Sequence, residues 1–561
     1  VASGIVKRET NRYNAVYEQP YGGVASDADA SDIAPNEFAV GDGVFIKNGR
    51  ILSAGWGNST TYNFSDVVGK GYFSGSETSY GNITFVLLVK KNNGAWVTVA
   101  LDNAGRAYYY DPFSKHFVLD QQLPAATMNS ISCLQVIAGV VYVFDYVAGA
   151  IYVYVPLTSY TVGSTFVGGQ FCMVLDNYLI TANTNQPTDS PAVKENRYNW
   201  CAPFAYTTWD PAIDRTAGFN TLSSASDSIT GCFAMGNVGY ILRNEGLTQL
   251  TPTGIALSPF DVTSVWDSLF GIGCTYPDTF AQYGSFAIWG NTNNFYAFYS
   301  GNVPEGITGS AKVAIYADIN KYESDPLTNV ETLVSGAFSN TSENSILPEL
   351  TYTLCITHQN SLDPAFAQAI IWTYNVANKA WTRQFFDLAA IIQQLAGIAA
   401  VNIGSLQPGK VIGLLQPNKI GLLTALPPRR IAANLLVSFA VGLNNYSFMF
   451  AFYYNETGTN TLTGTAQIGL NVIYREEEMR LGTKPTVRGV IVKAAGTGTL
   501  KVLVNDEEFS DIAVNSSSAS VYRSFGVLSE ENPQLTLSSV DFDGYVVKST
   551  MDITYDEGDP L

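Results

Sequence analysis

Tyr110, Tyr154, Tyr198 and Tyr240 stand 44, 44 and 42 residues apart, each inside an apolar, strand-forming run. Tyr296 and Tyr374 continue the series after gaps of 56 and 78 residues. A repeat of about 40–50 residues with several strands per unit is the signature of a β-propeller. Each blade is a small twisted sheet that cannot bury both faces alone, and packing against neighbours in a ring solves that problem. The repeat is imperfect and no Trp-Asp blade motif recurs, so an array of β-sandwiches is the competing architecture.

Local signals agree with a meander. NITFVLLVKK, AWVTVALD and RAYYYD, from Asn82 onward, are joined by Asn92-Asn93-Gly94 and Asn103-Ala104-Gly105. Asn and Gly supply the positive φ that hairpin turns require. VVYVFDY and AIYVYVP form a second hairpin across Ala148-Gly149. Both strands are apolar on both faces, which places them inside stacked sheets. IIWTYN and AWTRQFF form a third, with Trp372 and Trp381 nine residues apart; an aromatic after such a turn packs on the neighbouring blade.

At 561 residues the chain has room for three or four domains of ~150 residues, or for one large repeat domain plus a smaller one. The boundaries read as an N-terminal arm over 1–40, a propeller of about six blades over 41–387, and a C-terminal antiparallel β-sandwich over 456–561. Between them, 388–455 contains no Asp or Glu, where an even spread of the chain's 48 acids would put about six. That stretch reads either as core strands and turns or as an apolar loop buried by another subunit. The fold class is therefore all-β.

Charged residues make up only 14% of the chain and the net charge is −18. Wrapping of nucleic acid needs a basic surface that releases counterions, so the charge argues against specific DNA or RNA recognition, and anionic membranes are disfavoured for the same reason. No apolar run of 18 residues or more predicts a membrane span. Cys133, Cys172, Cys201, Cys232, Cys274 and Cys355 are widely spaced, with no Cys-x-x-Cys pair, and read as buried free thiols. With two histidines, His116 and His358, neither a zinc site nor a Ser-His-Asp triad is expected, and no cofactor motif is present. A glycosidase needs only two carboxylates, and Asp210, Asp214 and Asp227 are candidates, although Asp is common in turns for backbone reasons. Trp200 and Trp209, in NRYNWCAPFAYTTWDP, could stack a sugar; alternation along the strand and Pro203 at its end favour a packing role.

Four stretches, in order, carry a resemblance. They are YGGVASDADASDIAPNEFAVGDGVFIKNGRILSAGW, NRYNWCAPFAYTTWDP, ITGCFAMGNVGYILRNEGLTQLTPTG and GIGCTYPDTFAQYGSFAIWGNTNNFYAFYSG. Together they resemble the β-propeller tail nozzle, or hub, and packaged-DNA stabilisation proteins of short-tailed bacteriophages, with Cys201 where that family has Ser. The resemblance covers roughly 20–390. It implies a structural virion protein without catalytic residues, usually six copies in a ring that contacts tail adaptor and tail fibre proteins, assembled in the host cytoplasm. DNA would pass through without specific recognition. The alternative from another class is a glycan- or receptor-binding propeller, and a third is a propeller glycoside hydrolase.

Overall fold

The computed structural model describes residues 10–556 except 64–82, 124–130, 341–349, 388–406, 413–429, 455–469, 477–484 and shorter gaps of at most six residues. Side chains of 10–18 and 407–454 are likewise not described.

The fold is nearly all β. Four separate sheets of four strands follow one another along the chain. They span Cys133–Ile137 to Ser159–Ser164, Gly168–Leu175 to Gly218–Thr221, Ile229–Met235 to Phe260–Trp266, and Tyr276–Tyr283 to Glu305–Gly306. Before them comes a meander of the same form: Ile83–Lys90, Trp96–Asp102, Arg106–Asp111 and His116–Gln122. Each strand pairs antiparallel with the next. The expected turns are present, with Gly94 at φ +83° and Gly105 at φ +75°. These five units are the blades of a β-propeller, numbered here in chain order. The sixth unit, Val330–Asn340, Leu350–Asn360, Ala367–Asn375 and Ala380–Asp387, is also a four-stranded meander. Like the first meander it is continuous with a much larger sheet, and with five blades counted the number differs slightly from the expected six.

The tyrosine rhythm has a structural cause. Tyr110, Tyr154, Tyr198, Tyr296 and Tyr374 all sit on the third strand of their units; Tyr240 is on the second strand of the fourth blade. Between blades, aromatic and aliphatic side chains form closed layers. Phe233, Tyr240 and Leu242 of the fourth blade pack with Trp289 and Phe298 of the fifth. Tyr142, Phe144 and Ile151 of the second pack with Leu179 of the third. Burial of such faces supplies the drive that an isolated four-stranded sheet lacks.

The C-terminal part is a corner-folded sandwich. Its central strand, Thr486–Val504, pairs over 486–497 with Asp543–Asp556 and over 501–504 with Gln534–Ser539. One strand thus serves two sheets, as in packings where a strand changes layer at a bend. The bend falls at Gly496 and Gly498, with φ +136° and +120°; a Cβ on Gly498 would lie 2.5 Å from the Asp541 carbonyl oxygen. Glu507–Ser529 follows the central strand through the corner and pairs with both halves. Val490, Val492, Leu500, Val502, Ile512, Leu537 and Met551 fill the space between the sheets.

N-terminal strands stitch the two parts together. Thr10–Glu18 pairs with Asp543–Asp556, Gly23 lies parallel to Trp381, and Val40–Asp42 pairs with both Arg383 and Asn471–Ile473. Arg50–Trp56 pairs with Val546 of the sandwich. In the acid-free stretch, Gln407–Ile412 runs parallel to the first strand of the first blade, Lys410 opposite Phe85. Arg430–Val441 and Asn444–Tyr454 form a hairpin beside it. The burial of that stretch by a partner, one of its two expected readings, lies outside the described residues.

Candidate assembly surface

The tryptophans that could have clasped a sugar are bonded into the frame. Trp209 is 1% exposed, donates its Nε1–H to the Tyr206 carbonyl at 2.9 Å, and meets Phe144 of the second blade edge-on. Trp200 donates to the Thr216 carbonyl at 3.0 Å and packs between Tyr198 and Phe260. Trp381 likewise bonds the Ile307 carbonyl at 2.7 Å and meets Phe295 of the fifth blade. Neither ring face of Trp209 is available to a ligand.

The candidate acids hold backbone. Asp210 accepts the Ala212 N–H at 2.8 Å. Asp214 accepts the N–H and hydroxyl of Thr216, and these two bonds hold its carboxyl below the usual range. Asp227 is buried against Arg243 at 2.8 Å and accepts the Glu245 N–H at 3.1 Å. From the second blade to the sixth unit, the first strands of successive units are neighbours. They supply two carboxylates, Asp278 and Glu331, and Glu331 accepts a bond from Gln359 at 2.8 Å. Among the described residues, no group of three or more His, Cys, Asp and Glu is placed to hold a metal.

All six cysteines are free thiols, and Cys201, Cys232, Cys274 and Cys355 are buried. Burial pushes the Cys201 thiol up to about 12, so it stays protonated while accepting the Leu179 N–H. His358 is fully buried, shares a hydrogen bond with the Thr332 hydroxyl at 3.0 Å and faces the Tyr322 ring. Burial, aided by Lys321, pushes its pKa down to about 4, so the ring is neutral.

One charged cluster joins the two parts of the molecule. Arg383, on the last strand of the sixth unit, donates to Asp42 at 2.7 Å and reaches Asp318 at 3.5 Å. Asp318 sits on the helix Lys312–Ile319 and accepts the Trp372 indole N–H at 2.8 Å. Burial pushes its carboxyl up, against the opposing pull of Arg383 and the indole. Asp42 belongs to the short strand that also pairs with the sandwich, so the guanidinium pins the joint. The planar fork suits this two-carboxylate task better than an ammonium would.

Several large apolar side chains are exposed. Phe204 and Ile213, between the third and fourth strands of the third blade, are 72% and 77% exposed. Ile255 and Leu257, in the equivalent connection of the fourth blade, are 61% and 71% exposed. On the sandwich, Val521, Phe525 and Val527 of Glu507–Ser529 are 58%, 75% and 78% exposed. Sequence reasoning missed this last surface. Its signal was present in VYRSFGV, where apolar residues alternate on a strand with few charges.

No family model and no curated protein matches the sequence. Solved structures do align with it, all at low identity. RRP9 WD40 repeats match at 6% identity over 71% of this chain and 99% of that one, with a TM-score of 0.33. The Pan2 WD40 domain of Neurospora crassa matches at 8% identity over 67% and 92%, with a TM-score of 0.31. An exo-beta-1,3-galactanase from Phanerochaete chrysosporium matches at 9% identity over 76% and 97%, with a TM-score of 0.22. Their functions do not carry over to this chain, whose propeller rests on its own strand pairing.

Proposed function

We propose that the chain is a structural ring subunit: a tail nozzle, or hub, component of a short-tailed bacteriophage that extends the DNA conduit, retains packaged DNA and opens for ejection. The observation that carries this reading is the pairing of a propeller without an exposed reaction centre among its described residues with a sandwich that leaves an apolar strand edge uncovered. A surface of that kind is what subunit contacts require. The ordered resemblance over roughly 20–390 supports the same reading, and so does the charge. A net charge of −18 suits a conduit through which phosphate must slide, since a basic wall would hold it. Tail adaptor and fibre proteins are the implied neighbours, and the implied setting is the virion.

The test is native mass spectrometry with electron microscopy of the purified protein. A closed ring, six-membered by the resemblance, is the expected result. A monomer across the accessible concentration range that binds no adaptor would sink the proposal. The glycan-binding alternative predicts polysaccharide affinity that is lost in Trp209→Ala; the burial of Trp209 argues that any such affinity would be unaffected.

A further inference from the structure

We infer that the strand Glu507–Ser529 is an inter-subunit edge that receives the strand Thr10–Glu18 of a second copy of this chain, so that one antiparallel sheet continues from subunit to subunit. This rests on the ring-forming reading above.

The first sheet of the sandwich has the spatial order Thr10–Glu18, Asp543–Asp556, Thr486–Thr497, Ser516–Ser529. Among the described residues neither outermost strand pairs with anything on its outer side. Every neighbouring pair is antiparallel, so the two outermost strands of this four-strand row also run opposite ways. A second copy placed edge to edge in the same orientation therefore meets this one with the alternation intact. Such a contact joins two different surfaces, and repeated by rotation it closes a ring.

Natural edges are blunted with charges, especially lysine, with proline, with bulges or with a covering element, and Glu507–Ser529 carries one bulge near its far end, between Phe525 and Leu528. Across Glu507–Ser529 there is no lysine and no proline, and Thr10–Glu18 lacks both as well. The exposed side chains at the far end of the receiving strand, Val521, Phe525 and Val527, are apolar, with Arg523 among them.

Register makes the match specific. Successive rows across the sheet read Glu18, Lys548, Lys493, Val521; then Val16, Thr550, Ile491, Arg523; then Asn14, Asp552, Gly489, Phe525. Residues of one row share a face, and alternate rows along a strand return to it. Glu18, Val16 and Asn14 thus belong to the same face as Val521, Arg523 and Phe525. Antiparallel addition with Arg523 opposite Glu18 of the incoming copy sets Phe525 opposite Val16, up to the irregularity between Phe525 and Leu528. One opposite-charge pair and one apolar pair then fall directly across from one another, as cross-strand pairing favours. Backbone bonds supply the adhesion and the alternate side chains the specificity, as in other strand additions.

The experiment uses the full chain and reads its assembly by analytical ultracentrifugation and native mass spectrometry. Arg523→Glu and Glu18→Arg should each weaken assembly at least tenfold, and the double exchange should restore it. Phe525→Asp should leave monomers whose circular dichroism and melting match those of the parent. Rings unaffected by Phe525→Asp and by both single exchanges would overturn the edge assignment while leaving the ring reading intact. Single exchanges that weaken assembly without rescue in the double variant would overturn Thr10–Glu18 as the donor strand. A parent chain that never assembles would overturn both readings. Should Phe525→Asp misfold, the charge exchange alone decides.

Discussion

The layers between blades and the outer strand of the sandwich use the same kinds of residue to opposite ends. Between the fourth and fifth blades, Phe233, Tyr240, Trp289 and Phe298 pack with ring centroids 5.0–6.3 Å apart, stacked, tilted or edge-on, and are buried. On Glu507–Ser529, Val521, Phe525 and Val527 meet nothing on their outer side among the described residues and stay mostly exposed. A propeller closes on itself, so each apolar face finds its partner within the chain. An open sandwich sheet has ends, and apolar residues at an end are either a liability or a contact in waiting. The difference separates residues that hold the fold from residues that the fold leaves exposed.

Substitutions can break that comparison. The largest effect is expected for Trp209→Ala, which empties a buried indole site and strands the Tyr206 carbonyl; a loss of about 3–5 kcal/mol should appear in denaturant melts. Asp227→Ala leaves Arg243 buried without its carboxylate and should cost about 3 kcal/mol or more by the same measurement.

A smaller effect should depend on pH. His358 is neutral in the fold, with its pKa pushed down to about 4, whereas the unfolded ring titrates near 6.5. Between these values the unfolded chain binds the extra proton, so stability falls as pH drops from about 6.5 toward 4 and levels off below. The full swing is about 3 kcal/mol. His358→Gln should flatten the slope of stability against pH in this window; an unchanged slope would show that other groups carry it.

The smallest effect belongs to the open edge. Phe525→Ala should shift monomer stability by no more than about 0.5 kcal/mol, because the side chain leaves little packing behind. If Phe525→Ala proved as costly as Trp209→Ala, the division between frame and contact would collapse.

Much of the propeller was legible because its contacts are local. Asn92-Asn93-Gly94 and Ala148-Gly149 name their hairpins, and the tyrosine spacing reports the third strand of every unit it touches but the fourth blade, where Tyr240 is on the second. Trp381 could be placed against a neighbouring blade from its position after a turn. The sandwich was legible as a set of strands, but its corner was not. Gly496 and Gly498 look like ordinary turn residues, and only the pairing on both sides reveals a single strand of 19 residues that changes sheet. The stitching strands were illegible for a different reason. Nothing near Thr10–Glu18 or Val40–Asp42 in the sequence names a partner hundreds of residues away. The Arg383 cluster escaped in the same way, since Asp42, Asp318 and Arg383 meet only after the blades have closed.

The pairing of Thr10 with Asp556 also sets a schedule for biosynthesis. A ribosome adds roughly 5–20 residues per second, so the first strand waits between about half a minute and two minutes before its partner is made. Blades can close one by one as they emerge, since each pairs with what has just been synthesised. The sandwich cannot. Its first sheet is completed only when Asp543–Asp556 leaves the exit tunnel, and the strand proposed to bridge subunits has no anchored neighbour until then.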